Sequence, residues 1–381
     1  MNNETGNSDM IKRINRSLIL EMVKENQPIS RAQIAKKLSL SKTTVSALVD
    51  ELLKKQLVVE LGESNIGKGG GRPACMLGYN PSSAFLVGVD IGGTKILVKV
   101  TDLAGNLKHS LRVPTTNKVD ELAGLVTKAI EEAELKSSNV IGVGIGVPGT
   151  VNDQGVVIQS KALRWSRFDL HGEISRLLSY PVFIGNDVNC AAMGERWLGS
   201  GENADNMIFI AIGTGIGSAI ISNSHIISGQ NNRAGEICYL TSRHDMESGL
   251  HNNLGKPGVL ESKVSGTALS HHGYPSCDLF KAYSSGDEHA SAIIRDFLTD
   301  LSIAIANMVS LLNPEKVVIG GGVSESMGML VDEIREMVHS LTPIKTKIDI
   351  ATLGGDAGAL GAIAFALYQV SLTGDVSEMV L

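Results

Sequence analysis

The amino-acid sequence predicts an α/β protein in two parts, a small helical head ending in a hairpin and a larger two-lobed body of alternating strands and helices. Three observations predict it. Apolar residues recur at helical spacing through the first sixty positions and then give way to a glycine-rich hairpin. Two further glycine-turned hairpins stand 121 positions apart in the rest of the chain, Asp90 falling on Ala211 and Gly92 on Gly213. Between and after these, apolar strands such as "NVIGVGIGVPG", "PVFIGND" and "KVVIGGG" alternate with helical stretches such as "SAIIRDFLTDLSIAIANMVSLLN".

With 381 residues and 43% apolar side chains the chain can build more than one core, and the boundary is expected near residue 80, giving units 1–80 and 81–381. Charge divides at the same place. Residues 1–80 carry 12 Lys and Arg against 8 Asp and Glu, and the remainder 22 against 32, so a head of +4 sits on a body of −10 within a net charge of −6. A basic head suits a polyanionic partner. Cys75, Cys190, Cys238 and Cys277 form no close pair, which predicts free thiols rather than a disulfide framework or a thiolate zinc cluster. The polar start, Met1 to Asn15, predicts no leader. The longest apolar stretch, Met207 to Ile221, is 15 residues broken by three glycines and predicts no membrane span. A cytoplasmic protein is expected.

In the head, Met10, Ile11, Ile14, Leu18, Ile19, Met22 and Val23 mark one helix by their three- and four-residue spacing. Ser30 is the expected N-cap of a second, Arg31 to Leu38, and Ser41 of a third, to about Lys55. The short "SLS" link between these two is that of a helix-turn-helix, whose second helix enters the major groove by its N-terminal residues. That places Ser41, Lys42, Thr43, Thr44 and Ser46 at DNA. Strands near Leu57–Leu61 and Ala74–Leu77 then form a wing, with Lys68 and Arg72 at its glycine-rich tip suited to the backbone and minor groove. The other reading is a three-helix bundle for protein contacts, followed by a flexible linker.

In the body, "VGVDIGGTKILVKV" and "GTGIG" are turns whose exposed N–H groups suit phosphate oxygens, and Asp90 suits the accompanying magnesium. Their duplicated positions suggest a cleft with one turn on each side. Asp187 follows an apolar strand and opens a helix. Either Asn186 or Asp187 caps that helix, or Asp187 is a general base that takes a hydroxyl proton during phosphoryl transfer.

Together these segments resemble the ROK family of bacterial sugar kinases and sugar-responsive repressors, from about Val87 to Leu367, with the winged helix matching the repressor branch. The resemblance implies an actin/hexokinase-like body. It makes Asp90, Gly92, Gly93, Thr94 and Lys95, with Gly213, Thr214, Gly215 and Gly217, the phosphate turns for ATP with Mg. Gly320, Gly321 and Gly322 would flank the adenosine. It gives Asp187 the catalytic role and makes Asn186, Asp187, Glu236, Tyr239 and Glu261 the sugar contacts. At the family's four zinc-ligand positions this chain has Tyr239, Asn252, Leu254 and Val259, which are poor tetrahedral ligands, so no zinc is expected. Ala162 replaces an expected sugar-contacting asparagine.

Two functions follow from these residues. In one, a sugar or sugar phosphate closes the cleft and changes the spacing of two winged helices in a homodimer or homotetramer, releasing operator DNA. In the other, the chain is an ATP-dependent sugar kinase with an added DNA-binding head. The head favours the repressor. The sugar itself is not named by the sequence; for a pentose such as xylose, Asp187 would act as a hydrogen-bond acceptor.

Overall fold

The computed structural model describes residues 3–63, 74–253, 256–273 and 276–373. The head comprises α1 (Asn3–Asn26), β1 (Ile29–Ser30), α2 (Arg31–Leu38), α3 (Lys42–Lys54), β2 (Val58–Glu63) and β3 (Cys75–Tyr79). Ser30 caps α2 in a capping box with Gln33, satisfying N–H groups that the first turn leaves open. Ser39 ends that helix in the left-handed region at φ 54°, which turns the chain sharply toward α3. Ser41 accepts from Thr44 N–H and caps α3. Arg31 braces the pair, reaching Asp50 on α3 at 2.9 Å and Glu60 on β2 at 3.5 Å. The wing pairs in the order β1-β3-β2; strand β1 gave no sequence signal because two residues are too few for a period. The wing tip, with Lys68 and Arg72, lies outside the described residues.

The N-lobe runs through β4 (Phe85–Ile91), β5 (Lys95–Asp102), β6 (Leu107–Pro114), α4 (Val119–Glu132), β7 (Val140–Val147), β8 (Thr150–Val151), β9 (Val157–Ser160), β10 (Trp165–Phe168), α5 (Leu170–Ser175), β11 (Val182–Asn186) and α6 (Asp187–Leu198). The C-lobe runs through β12 (Met207–Ile212), β13 (Ile216–Ser222), β14 (His225–Ile226), α7 (Arg243–Glu247), α8 (Gly266–Ser270), α9 (Ser276–Ser284), α10 (Glu288–Leu312), β15 (Lys316–Gly320), α11 (Val331–Leu341) and β16 (Lys347–Ile350). The last helix, α12 (Ala357–Thr373), returns to the N-lobe and packs on β4, β7 and α6.

The two large sheets have the same topology. Their orders are β11-β7-β4-β5-β6 and β14-β13-β12-β15-β16: a meander of three antiparallel strands, extended on the far side of its first strand by two parallel ones. The weak repeat seen in the sequence is therefore a repeat of whole sheets. Parallel strands need crossover connections, and the helices covering these sheets supply them. Helix α12 approaches its neighbours closely because small residues meet there; a Cβ on Gly144 would stand 1.9 Å from Ala362 O, and one on Gly361 1.9 Å from Cys190 O.

Candidate functional site

In the head, Ser41, Lys42 and Thr43 are exposed and Thr44 and Ser46 are partly so, all at the N-terminal end of α3, while Val45, Leu48, Val49 and Leu52 turn inward. Ser41 Oγ lies 2.8 Å from the hydroxyl of Thr43 and 2.8 Å from that of Thr44, a cluster of groups that can each donate and accept. Such a surface can meet base edges and phosphates.

In the body, β4 ends at Asp90 and Ile91 and the chain turns through Gly92 to Thr94. Gly92 N–H donates to Lys95 O at 2.9 Å, and Thr115 straps the turn by giving its hydroxyl to Gly92 O at 2.7 Å and its N–H to Thr94 O at 3.1 Å. The turn after β12 is built alike. Gly213 N–H donates to Gly215 O at 2.9 Å, and Thr267 gives its hydroxyl to Thr214 O at 2.7 Å. After β15, Gly321 holds φ 87° with its backbone tight against Ile212. Gly93, Gly213 and Gly322, one at each of these places, have no atom within 4 Å of where a Cβ would stand. Open backbone at three strand ends is a cradle that suits the phosphates of a nucleotide.

Asn186 caps α6: its Oδ1 accepts Asn189 N–H at 3.0 Å, while its Nδ2 donates to Gly149 O at 2.8 Å and to Asp187 Oδ1 at 2.9 Å. The capping role thus falls to Asn186 and leaves the Asp187 carboxyl for other work. Burial pushes that carboxyl up to about 7, the charge of Asp90 adds to the rise, and the N–H groups of Val188 and Asp187 with the Asn186 amide hold it back. Burial likewise raises Asp90 to about 6, against the pull of Lys95. Asp90 stands at the start of α12, where a Cβ on Gly358 would lie 2.4 Å from its carboxyl carbon. Two neighbouring acids that cost energy to ionise suit a cation or a transferred proton. A carboxyl titrating near 7 suits a general base.

Beside them a cavity of about 60 Å³ lies between the lobes, lined by Thr150, Asn186, Asn189, Ser218, Asn232 and Glu236 among others. Sequence reading missed Thr150, Asn189, Ser218 and Asn232. Asn189 had a signal, since it stands one helical turn after Asn186 in "GNDVN"; the others come from separate loops. Gly217 lines this cavity, whereas Glu261 lies against the second turn, its Oε1 2.2 Å from where a Gly215 Cβ would be. Tyr239 stays outside the cavity. Its ring packs on the C-lobe core, and its phenol is raised by burial and by Cys238, Glu236 and Glu261 nearby. Ala162 lines a separate cavity by Gly93 and Asn117.

The segment carrying these acids is held by hydrogen bonds. Asn252 Nδ2 donates to Tyr239 O at 2.7 Å and to Thr241 Oγ1 at 2.9 Å, and Asn252 Oδ1 accepts Val259 N–H at 2.9 Å. One amide thereby ties together three of the four positions at which the family resemblance puts zinc ligands; the fourth, Leu254, lies outside the described residues. Asp245 adds a second tie, accepting from Ser242 at 2.7 Å and pairing with Lys263 at 2.5 Å. Burial opposes its charge, but Lys263 and Ser242 hold its carboxyl down at about 2.

The sequence profile of the ROK family matches residues 86–369. The chain belongs to the ROK family. The profile of the MarR family matches residues 11–64, which cover the winged helix-turn-helix. Among ROK relatives, the xylose repressor of Bacillus subtilis is 29% identical over 367 residues, covering 92% of this chain and 94% of its own. The glucokinase of Halalkalibacterium halodurans is 34% identical over 313 residues, covering 74% of this chain and 94% of its own. A crystal structure of a ROK family transcriptional regulator, a homologue of the Escherichia coli MLC protein, superposes over 97% of this chain and 99% of its own with a TM-score of 0.81 at 24% identity, which establishes the fold of head and body together. No helix among the described residues is long and apolar enough to cross a membrane.

Proposed function

We propose that this chain is a sugar-responsive transcriptional repressor of carbohydrate-utilisation genes. The head binds operator DNA through Ser41, Lys42, Thr43, Thr44 and Ser46, and a sugar bound between the lobes releases it. One observation carries the reading. Helix α12 places Ile363, Ala366 and Val370 in an apolar cluster with Leu57 and Leu77 of the head, while its first turn stands against Asp90 in the cleft. Whatever moves the cleft acts on the helix that holds the head. Likeness over nearly the whole chain to a xylose repressor supports the same reading.

Operator sites read by winged helices usually call for two heads. On α1, Ile11, Ile14 and Leu18 leave 52%, 48% and 47% of their surface exposed at three- and four-residue spacing, a stripe that suits a second copy of this chain. Within the body, Asn186, Asp187, Glu236 and Glu261 are the proposed sugar contacts.

A kinase reading is favoured by one specific feature, the pair of raised acids beside open glycine turns. ATP with Mg would be held by the backbone of Gly92 to Thr94, Gly213 to Gly215 and Gly320 to Gly322, with Asp90 toward the cation; bound there it would supply a transferable phosphoryl group. Asp187 would take the sugar hydroxyl proton. The deciding assay titrates free sugar, with and without MgATP, against operator-bound wild-type and Asp187→Asn protein. A repressor releases DNA with sugar alone, and Asp187→Asn, nearly isosteric and still hydrogen-bonding, largely keeps that response. Release that requires both MgATP and Asp187 overturns this choice in favour of the kinase.

A further inference from the structure

Next to the small inter-lobe cavity lies a much larger one. It holds about 550 Å³ against about 60 Å³, and the two share Asn186, Asn189 and Asn232 in their walls. The outer cavity is bounded by the end of β11, the turn at 152–155, one face of α12 and the C-lobe segment from Ile226 to Asn232. The shared asparagines lead from one space into the other.

The lining has a distinct chemistry. Phe183, Phe365 and Tyr368 supply half-buried ring surface, and Gln154 joins the three shared amides. Asp153 is its single carboxylate and His171 its single imidazole, and no Lys or Arg lines it among the described residues. Other cavities of this chain differ: one at the C-lobe edge is lined by Lys316, Lys345 and Lys347, and one beside α4 by Lys118, Lys128 and Arg164. Amides can donate to and accept from sugar hydroxyls, and aromatic rings pack on the C–H faces of pyranose rings. A phosphate would find no cationic partner in the outer cavity. Its volume falls within the roughly 300–1,000 Å³ usual for small-molecule sites, and the inner cavity falls well below it.

We propose that the effector is a neutral glycoside of at least two sugar rings, one ring at Asn186 and Glu236, where the inner cavity widens as the lobes part to admit it, and the next in the outer cavity against Phe183 and Tyr368. This deepens the repressor reading and rests on it. The outer ring meets α12 on the turns that carry Phe365 and Tyr368, and the same helix sends Ile363, Ala366 and Val370 into the core shared with the head. The second ring is then the part of the ligand closest to the helix that holds the head.

The test uses the full chain on its operator, with a panel of pentoses and hexoses and their α-1,4- and β-1,4-linked dimers as probes. Binding is measured by calorimetry and DNA release by gel shift. At least one dimer is expected to bind about tenfold tighter than its monomer, or about 1.4 kcal/mol, and to release DNA at correspondingly lower concentration. Gln154→Trp and, independently, His171→Trp fill the outer cavity from exposed positions. Each is expected to reduce dimer affinity to that of the monomer. Monomers that bind and release DNA as well as dimers do, or dimer affinity unchanged in both variants, overturn the two-ring proposal and leave the repressor reading intact. Release of DNA by no neutral sugar of either length overturns both.

Discussion

The two lobes share one sheet topology but are joined to the rest of the molecule in different ways. The N-lobe has no separate boundary with the head: Leu57 and Leu77 of the head, Leu86, Leu103 and Ile141 of the N-lobe, and Ile363, Ala366 and Val370 of α12 form a single apolar cluster. The C-lobe builds its own core around α10, with Phe297, Leu301 and Ile305 against β12 and β15. It meets α6 and α12 through a mixed cluster in which Ala192, Ala219 and Ala364 stand beside Met193, Met207, Phe209 and Ile221. Their turns differ as well, since Asp90 on β4 has Ala211 as its counterpart on β12. Head and N-lobe are therefore expected to move as one body that carries the acid, and the C-lobe to be the part that swings over it.

The strongest way to break this comparison is Ile363→Ala. Ile363 is fully buried, and the truncation should cost about 2–5 kcal/mol. Hydrogen exchange should show head and N-lobe losing protection together while α10 keeps its own. Loss confined to α12 would separate the head from the N-lobe.

The acids of the N-lobe give the next effect, on pH dependence. Because burial raises Asp187 to about 7 and Asp90 to about 6, the folded chain holds more protons than the unfolded chain between pH 4 and 7. The stability that these two carboxyls contribute is therefore greatest below the unfolded carboxyl range and falls as pH rises through 7, by up to about 1.4 kcal/mol per pH unit for each such proton. Asp187→Asn should flatten that fall and melt above wild type at pH 8. Parallel melting curves at pH 5 and 8 would mean that Asp187 is ionised without penalty.

Glu195 sharpens the question of what still ties the lobes. It is fully buried on α6 and accepts N–H groups from Ser200 and Leu353 at 2.8 Å each and from Thr352 at 3.2 Å, joining α6 to the segment before α12. Glu195→Ala should cost about 1.5–3 kcal/mol in chemical denaturation, and Glu195→Gln less, because one acceptor remains. An alanine variant as stable as wild type would show that this junction bears no load.

The smallest expected effect belongs to the C-lobe alone. Asn252→Ala removes three hydrogen bonds from an exposed loop and should cost about 1 kcal/mol, with faster exchange confined to residues near 239–261. The same samples should melt at an unchanged temperature with and without a chelator. A chelator-sensitive wild type would mean that a metal, and not the Asn252 amide, holds the loop.

What could be read from the sequence was local. The helix-turn-helix rests on Ser30 with Gln33 and Ser41 with Thr44, partners three residues apart whose spacing is visible in any listing of the chain. The glycine turns were legible for the same reason, since a backbone that must leave space for a ligand excludes side chains at fixed positions. Asn252 was legible only as something other than a metal ligand; its bonds reach Tyr239 and Val259, and no periodicity announces them. Whether Asn186 or Asp187 caps α6 was open until the amide was seen to reach both Asn189 and Gly149.

By itself, then, the sequence determined the elements, the head and its recognition helix, the duplicated turns and the residues able to carry charge, because each depends on neighbours a few positions away. Only the tertiary structure decided that burial and the nearby Asp90 raise Asp187, that two unequal cavities share three asparagines, and that the last helix belongs to the core of the head. Those properties are sums over residues far apart in the chain. Desolvation, cavity volume and apolar burial exist only once distant segments have packed against each other.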